Sequence, residues 1–205
     1  MPLSTFDSVE ILHFCVGILF AVTFQGAAQG ITIALFQSNP EKQDERPQLN
    51  LNFFAHLDPV ALLVFFLGGF GWAKAVKVDD QEFKNPRVAW LIVAFVSGFV
   101  NLLVAVTLST ITDILWTSRA FYVVMLVNAS VFVYHFTIPI PPLAASRIIY
   151  ALTPQKHRRL WRWYSRLGPF LLLAIVGTER FTDLRILRPL TGPIIDAIMR
   201  FCTTF

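Results

Sequence analysis

Residues 49–60 read LNLNFFAHLDPV, and residues 69–76, which follow an apolar run, read GFGWAKAV. Asp58 followed by Pro59 is typical of a helix start, because the carboxylate accepts from the first backbone N–H groups and proline fits the first helical position. The uncharged run from Pro59 to Ala73 has 15 residues, fewer than the roughly 20 that a helix needs to cross a bilayer. This stretch therefore predicts a short apolar helix that ends before Lys74.

The composition indicates a membrane protein. Hydrophobic residues make up 55% of the chain and charged residues 15%, whereas a soluble domain has about a quarter charged residues. Two uncharged runs, Ile11–Phe36 and Val88–Thr112, are each longer than a transmembrane helix requires. We expect one all-α polytopic membrane domain over residues 1–205, with about five to six transmembrane or half-membrane helices.

Two smaller elements are also expected. Residues 48–54 alternate weakly between polar and apolar side chains, so we allow for a small strand pair there. Residues 189–205 form an amphipathic segment, which is typical of a helix that lies in the membrane interface.

Five motifs give the chain a resemblance to a known family. They are the 49–60 and 71–76 segments, Asn85-Pro86-Arg87, Ser97-Gly98-Phe99-Val100-Asn101, and IPIPPLAASR at residues 138–147. Together they resemble the site-2 protease family of intramembrane zinc metalloproteases, in its compact bacterial form. That family has LNPLAHLDP and GWAKPV at the first two motifs and Pro-x-Pro-Pro-Leu-Asp-Gly-Ser at the last. The resemblance covers about residues 20–178.

The resemblance also implies where the family's zinc site would lie. In the family, the first helix carries His-Glu-x-x-His, in which two histidines bind zinc and the glutamate activates a zinc-bound water. The matching positions here are occupied by Gln25, Gly26 and Gln29, and the family's third ligand, an aspartate, is replaced by Ala144. We therefore expect no catalytic residue, no bound metal and no cofactor, which predicts a pseudoprotease that is not an enzyme.

Other residues are expected to shape helix packing. Gly98 permits a close helix approach, and Asn101 can form a hydrogen bond between helices. With Pro141 and Pro142, they are candidate helix-packing or groove residues. We also expect Gln25 and Gln29 to form interhelical or backbone hydrogen bonds, because a polar side chain without a partner is costly in hydrocarbon.

The leading functional hypothesis is a catalytically inactive, site-2-protease-like membrane protein. It would act as a structural, accessory or helix-binding subunit of a hetero-oligomeric membrane complex. We expect a multi-pass protein of the bacterial inner (cytoplasmic) membrane. The basic excess of the chain, +4 at pH 7, lies beside apolar segments, where anionic lipids are the expected partners and nucleic acid is not.

Two alternatives remain open. His13 and His135 lie in or near apolar helices, and a histidine there can ligate haem or a chlorophyll, which would make the chain a cofactor-binding subunit. The other alternative is an active intramembrane metalloprotease with a relocated site. The ligands of such a site would come from the four histidines, with Asp58 as the acid. The histidines are His13, His56, His135 and His157.

Overall fold

The computed structural model describes residues 8–37, 53–75, 80–115, 119–154 and 157–204. Three long helices form its centre: α1 (Ser8–Phe36), α4 (Pro86–Leu115) and α5 (Arg119–Thr137). Each packs against the other two. By length and composition, all three could cross a membrane. The prediction of an all-α membrane protein is therefore confirmed.

The short helices α2 (Phe53–His56) and α3 (Pro59–Gly68) lie between α1 and α4 in the sequence. As predicted, Asp58 caps α3: one carboxylate oxygen accepts from the backbone N–H groups of Val60 at 2.8 Å and Ala61 at 3.1 Å. The helix ends at Gly69, whose φ of 77° is left-handed and therefore favours glycine. At ten residues, α3 is about 15 Å long, half of a bilayer's hydrocarbon core.

Three further helices complete the described chain: α6 (Ala144–Leu152), α7 (Arg158–Phe181) and α8 (Arg188–Thr204). In the packing, α6 lies against α4, α7 against α3, and α8 against α5. The sequence indicated only a short apolar segment at residues 168–177. In the structure, α7 has 24 residues in total and continues through Pro169 without ending there. The amphipathic segment predicted at 189–205 corresponds to α8.

The strand pair that we allowed for near residues 48–54 is not seen in the part of this segment that can be examined. Phe53 and Phe54 belong to α2, and residues 48–52 lie outside the described chain. Elsewhere in the described ranges, the β-type pairing consists of one isolated antiparallel bridge between Gln37 and Phe83. The helical start of α2 reflects the apolar packing of Phe53 against the cluster that contains Phe65 and Val131.

A polar and aromatic cluster connects the start of α4 with the end of α6 and the start of α7. Asp80 is at its centre: its carboxylate accepts from the Trp90 indole N–H and the Tyr150 hydroxyl, both at 2.6 Å, and from Arg158. The Arg158 guanidinium also lies 5.3 Å from the centre of the Tyr150 ring. Aromatic and basic residues in this combination are typical of a membrane–water interface, so the cluster locates one end of the helical body.

Candidate functional site: the buried polar cluster around Gln25 and His135

Two polar side chains from different long helices meet in the interior of the protein. Gln25 lies in the middle of α1 and is 2% exposed, and His135 lies near the end of α5 and is 3% exposed. Between them run the residues that leave α3, including Gly71 and Ala73. The first residue of α6, Ala144, completes the group. The structure thus brings together Gln25 and Ala144, two of the positions at which the resemblance led us to expect the family's zinc ligands.

The side chain of Gln25 forms a hydrogen bond with a backbone N–H of the segment that follows α3. Its side-chain oxygen accepts from the Ala73 N–H at 2.6 Å. This bond orients the amide, because the oxygen faces Ala73 and the nitrogen must therefore face the imidazole of His135. An irregular backbone segment inside a helical body needs such a partner, since a buried N–H without one destabilises the fold. For Gln25, the prediction of a backbone hydrogen bond is confirmed.

His135 is held in one neutral tautomer by two backbone groups. The Ala144 N–H lies 3.3 Å from Nδ1, so Nδ1 accepts. The Gly71 carbonyl oxygen lies 3.1 Å from Nε2, so Nε2 carries the proton and donates. We assign the tautomer from this network, as is necessary wherever hydrogens are not observed. With one ring nitrogen donating and the other accepting, the hydrogen-bonding capacity of a neutral imidazole is used.

The Gln25 amide lies over the face of this ring. Its nitrogen is 2.9 Å from Nε2 and 3.3 Å from Nδ1 of His135. A donor bound in the ring plane to one nitrogen would be much farther from the other, so closeness to both places the amide above the ring. An N–H over an aromatic face is a weak, favourable contact. His135 thereby connects α1, α5, the segment after α3 and the start of α6.

Gly26, where the resemblance led us to expect the family's glutamate, is covered by the ring of His56. A Cβ atom on Gly26 would lie 2.4 Å from both Cγ and Nδ1 of the His56 ring, a separation that side-chain atoms do not adopt. His56 is 1% exposed, and its carbonyl oxygen accepts from the Lys74 N–H at 2.8 Å. Only glycine therefore fits at this position of α1 while the imidazole keeps its place.

Several buried polar atoms near these segments have no hydrogen-bond partner within the described chain. They include Nε2 of Gln29, both amide atoms of Asn101 and the indole nitrogen of Trp72. Gln29 and Asn101 are 1% and 0% exposed. The predicted hydrogen bond is therefore not found for the Gln29 nitrogen. Buried polar groups in folded proteins nearly always have partners, so each exception needs a physical reason.

The remaining candidate packing residues lie at close contacts between elements. A Cβ on Gly98 would be 2.6 Å from the Phe136 ring and 3.5 Å from Cβ of Ala144. A Cβ on Gly168 of α7 would be 2.3 Å from the Pro141 carbonyl oxygen. Pro142 is joined to Pro141 by a cis peptide bond. The proline-rich segment is therefore in close contact with α7 at Gly168.

The donor groups of the cluster do not form a zinc site. Zinc in proteins is bound by Cys, His, Asp or Glu, three or four at a time. In the described ranges, no three such residues lie close enough together to hold a metal ion. Gln25 already accepts from Ala73, and His135 accepts from Ala144. A metal at Gln25, Gln29 and Ala144 would require other ligands.

The two histidines considered as haem or chlorophyll ligands differ in their surroundings. Both ring nitrogens of His135 are engaged, as described above, so this residue is not a free axial ligand. Nδ1 of His13 is buried and has no partner in the described part of the chain. Pigment or haem binding at His13 stays a prediction.

The sequence did not indicate that His135 would be central to this cluster. Its partners, Gly71 and Ala144, are 64 and 9 residues away in the sequence. A usable signal was the position of His135 just before the proline-rich segment, because residues that follow a broken helix leave backbone groups in need of partners. Nothing in the sequence indicated that the His56 ring would pack over Gly26.

Comparison with known proteins gives one similarity over most of the chain. A protein of Bacillus subtilis (strain 168) named "Putative zinc metalloprotease YwhC" is 23% identical over an alignment of 214 residues, which covers 89% of this chain and 94% of that protein. No family model and no solved structure matches the chain. The similarity agrees with the resemblance to the site-2 protease family.

This similarity corrects one prediction. We predicted that the chain is not an enzyme, because glutamine, glycine and alanine occupy the positions of the family's zinc ligands and general base. A relative with a metalloprotease name along nearly its whole length points instead to a protease. The chain is an all-α membrane protein that is similar, over 89% of its length, to a bacterial protein named "Putative zinc metalloprotease YwhC".

Proposed function

We propose that this protein binds a transmembrane segment of another membrane protein and works as a subunit of a complex in a bacterial cytoplasmic membrane. Three apolar helices support its place in a membrane. The similarity to a protein with a metalloprotease name supports a binding partner that is itself a polypeptide. The observation that carries the proposal is a surface of four phenylalanines on α4 and α5.

This four-phenylalanine surface consists of Phe95 and Phe99 on α4 with Phe132 and Phe136 on α5. The ring centres of adjacent members are 5.2–5.7 Å apart. Aromatic pairs prefer such tilted or edge-on arrangements, which contribute about 0.5–1.5 kcal/mol beyond the buried area. Phe95 and Phe99 are 48% and 43% exposed. Aromatic residues, phenylalanine among them, are enriched at protein–protein interfaces.

The surface lies directly outside the segment that resembles the family's active site. The Phe136 ring covers Gly98, and Ala144 lies next to the same glycine. Asn101 follows Gly98 by three residues and so lies on the same side of α4, and neither of its amide atoms has a partner among the described residues. A segment that displaced Phe136 from Gly98 would reach this amide. Partner helices with small residues at the contact would approach closest, as helix association in lipid depends on packing.

The small residues at 26–30 of α1 could offer another close-packing surface to a partner helix. Gly26 packs on His56, and Ala27 is 6% exposed. That part of α1 is therefore used within the chain, which leaves α4 and α5 as the proposed contact.

Site-specific photocrosslinking tests the proposal. A photoreactive amino acid at Phe99 or Phe132, in protein expressed in a bacterial membrane, should crosslink to the same partner. Leu12 and Leu19 on α1, which are 62% and 39% exposed, serve as matched lipid-facing controls and should give no such product. Crosslinks of equal yield from all four positions, or none from Phe99 and Phe132, would refute the proposal.

A second candidate is that the bound segment is also cleaved, which the name of the Bacillus subtilis relative favours. Cleavage by a metalloprotease needs zinc ligands in addition to those of the cluster around Gln25 and His135. Metal analysis of the purified protein and mass analysis of the crosslinked partner test this candidate. Stoichiometric zinc together with a truncated partner would establish it, and an intact partner with no zinc would count against it.

A further inference from the structure

A cavity of about 390 Å³ lies between α5 and α8, bounded on one side by the ends of α3 and α7. Its volume is in the range of small-molecule sites, about 300–1,000 Å³. Tyr122 and Tyr134 of α5 both line it, and twelve positions of a helix correspond to about 18 Å. The cavity is therefore long and narrow, parallel to a helix that could span the membrane.

One end of the cavity is apolar. It is lined there by Val123, Leu126 and Val127 of α5, Phe14 of α1 and Met199 of α8. Val123, Val127 and Phe14 belong to one buried hydrophobic cluster. A hydrocarbon chain gains contact with these apolar side chains when it leaves water.

The other end of the cavity is charged. Arg180 near the end of α7, Arg185 in the following turn and Arg188 at the start of α8 all line it. Three acids also line the cavity: Glu179, Asp183 and Asp196. Glu179 is committed to the turn, because its carboxylate accepts from the backbone N–H of Leu187 at 2.5 Å and from that of Ile186. Asp183 lies in the same turn as Arg185, near the three guanidinium groups, whereas Asp196 lies three residues before Met199 on α8, toward the apolar end.

We propose that this cavity binds one molecule of an aminophospholipid. An arginine guanidinium matches the oxygens of a phosphate in pairs, and the carboxylate of Asp183 matches a headgroup ammonium. The apolar end then holds one acyl chain along α5. The length of about 18 Å is close to half of the roughly 30 Å hydrocarbon core, the depth that a chain from one leaflet reaches.

This site is separate from the proposed partner surface. The cavity uses the side of α5 that carries Leu126 and Ser130, together with α8. The four-phenylalanine surface uses the side of α5 toward α4. A lipid bound here would connect α8 to the rest of the protein, since α8 closes one wall of the cavity.

Native mass spectrometry of the full chain tests the proposal. The protein is reconstituted with equal amounts of phosphatidylethanolamine and phosphatidylglycerol, then extracted in mild detergent. We expect one retained phosphatidylethanolamine per chain, in clear excess over phosphatidylglycerol. Replacement of Arg180, Arg185 and Arg188 by Gln should lower this retention at least about tenfold, because charge-assisted hydrogen bonds are lost. The same replacement at Arg159, Arg162 and Arg166, exposed on α7, changes the charge equally and should have no effect.

A second pair of variants tests the acyl-chain end. Leu126→Trp adds volume inside the cavity and should reduce lipid retention, whereas Leu103→Trp on α4, where the leucine is 62% exposed, should not. No retained phospholipid in the unmodified protein would overturn the proposal. So would equal retention of both lipids, equal loss in the two arginine variants, or a protein segment that is found in the cavity and competes with lipid.

Discussion

Replacing Gln25 by leucine isolates the contribution of the Gln25–Ala73 hydrogen bond. Leucine approximates the volume of glutamine but cannot accept from the Ala73 N–H, which lies 2.6 Å from the Gln25 oxygen. A buried donor that loses its only acceptor costs about 1–3 kcal/mol, the upper part of which applies where no water can reach it. For a chain of this size, that corresponds to a decrease in Tm of about 2–12 °C.

Gln29 provides a matched control one helical turn away. It is the same residue type on the same helix, and its 1% exposure is close to the 2% of Gln25. Its side-chain nitrogen has no partner in the described chain. Gln29→Leu should therefore leave Tm unchanged or raise it, because an unsatisfied buried donor is removed.

The assay is thermal unfolding in mild detergent, followed by intrinsic tryptophan fluorescence at two scan rates to detect irreversible loss. The two variants should differ in Tm although their composition is identical. Equal shifts for Gln25→Leu and Gln29→Leu would show that burial, and not the bond to Ala73, determines the cost, and our account of the cluster would then be wrong.

Two further predictions concern packing and charge. Gly26→Ala should lower the free energy of unfolding by about 1–3 kcal/mol relative to Gly177→Ala, which is the cost of overpacking. Both variants gain helix propensity, but only Gly26→Ala places a methyl group 2.4 Å from the His56 ring. Thermal unfolding of the two variants measures the difference, and identical Tm values would contradict the prediction. Asp80→Asn should lower Tm and release the start of α7 from the rest of the fold, because the Asp80 carboxylate that accepts from Arg158 is lost. We expect faster backbone hydrogen exchange, confined to residues near Arg158. Unchanged exchange there would show that the cluster does not connect α7 to the fold.

The sequence correctly predicted the structural elements that depend on neighbouring residues in the chain. The Asp58-Pro59 cap depends on adjacent residues and was predicted to the residue. The full length of α7 was missed, because Pro169 removes a backbone donor and normally interrupts a helix, and the packing of α7 on the Pro141 carbonyl could not be seen in the sequence.

The same division applies to the candidate site. Gln25 and Ala144 were identified as related positions from the resemblance alone. That His135 would join them, and that His56 would fill the space at Gly26, depends on contacts between residues far apart in the chain. The cavity between α5 and α8 was missed for the same reason, since its two walls come from helices that are far apart in the sequence.

The short helix α3 has a consequence for the rest of the chain. Because it stops after ten residues, the residues from Phe70 to Ala73 lie outside any helix and are buried inside the protein, so their peptide groups need partners there. Their hydrogen bonds must come from whichever residues of α1 and α5 lie at the same level, and here those are Gln25 and His135. A change of one turn in the length of α3 would move these peptide groups by about 5 Å. The polar residues of two distant helices would then have to shift by one turn as well, so the depth at which α3 ends determines where the long helices can carry glutamine and histidine.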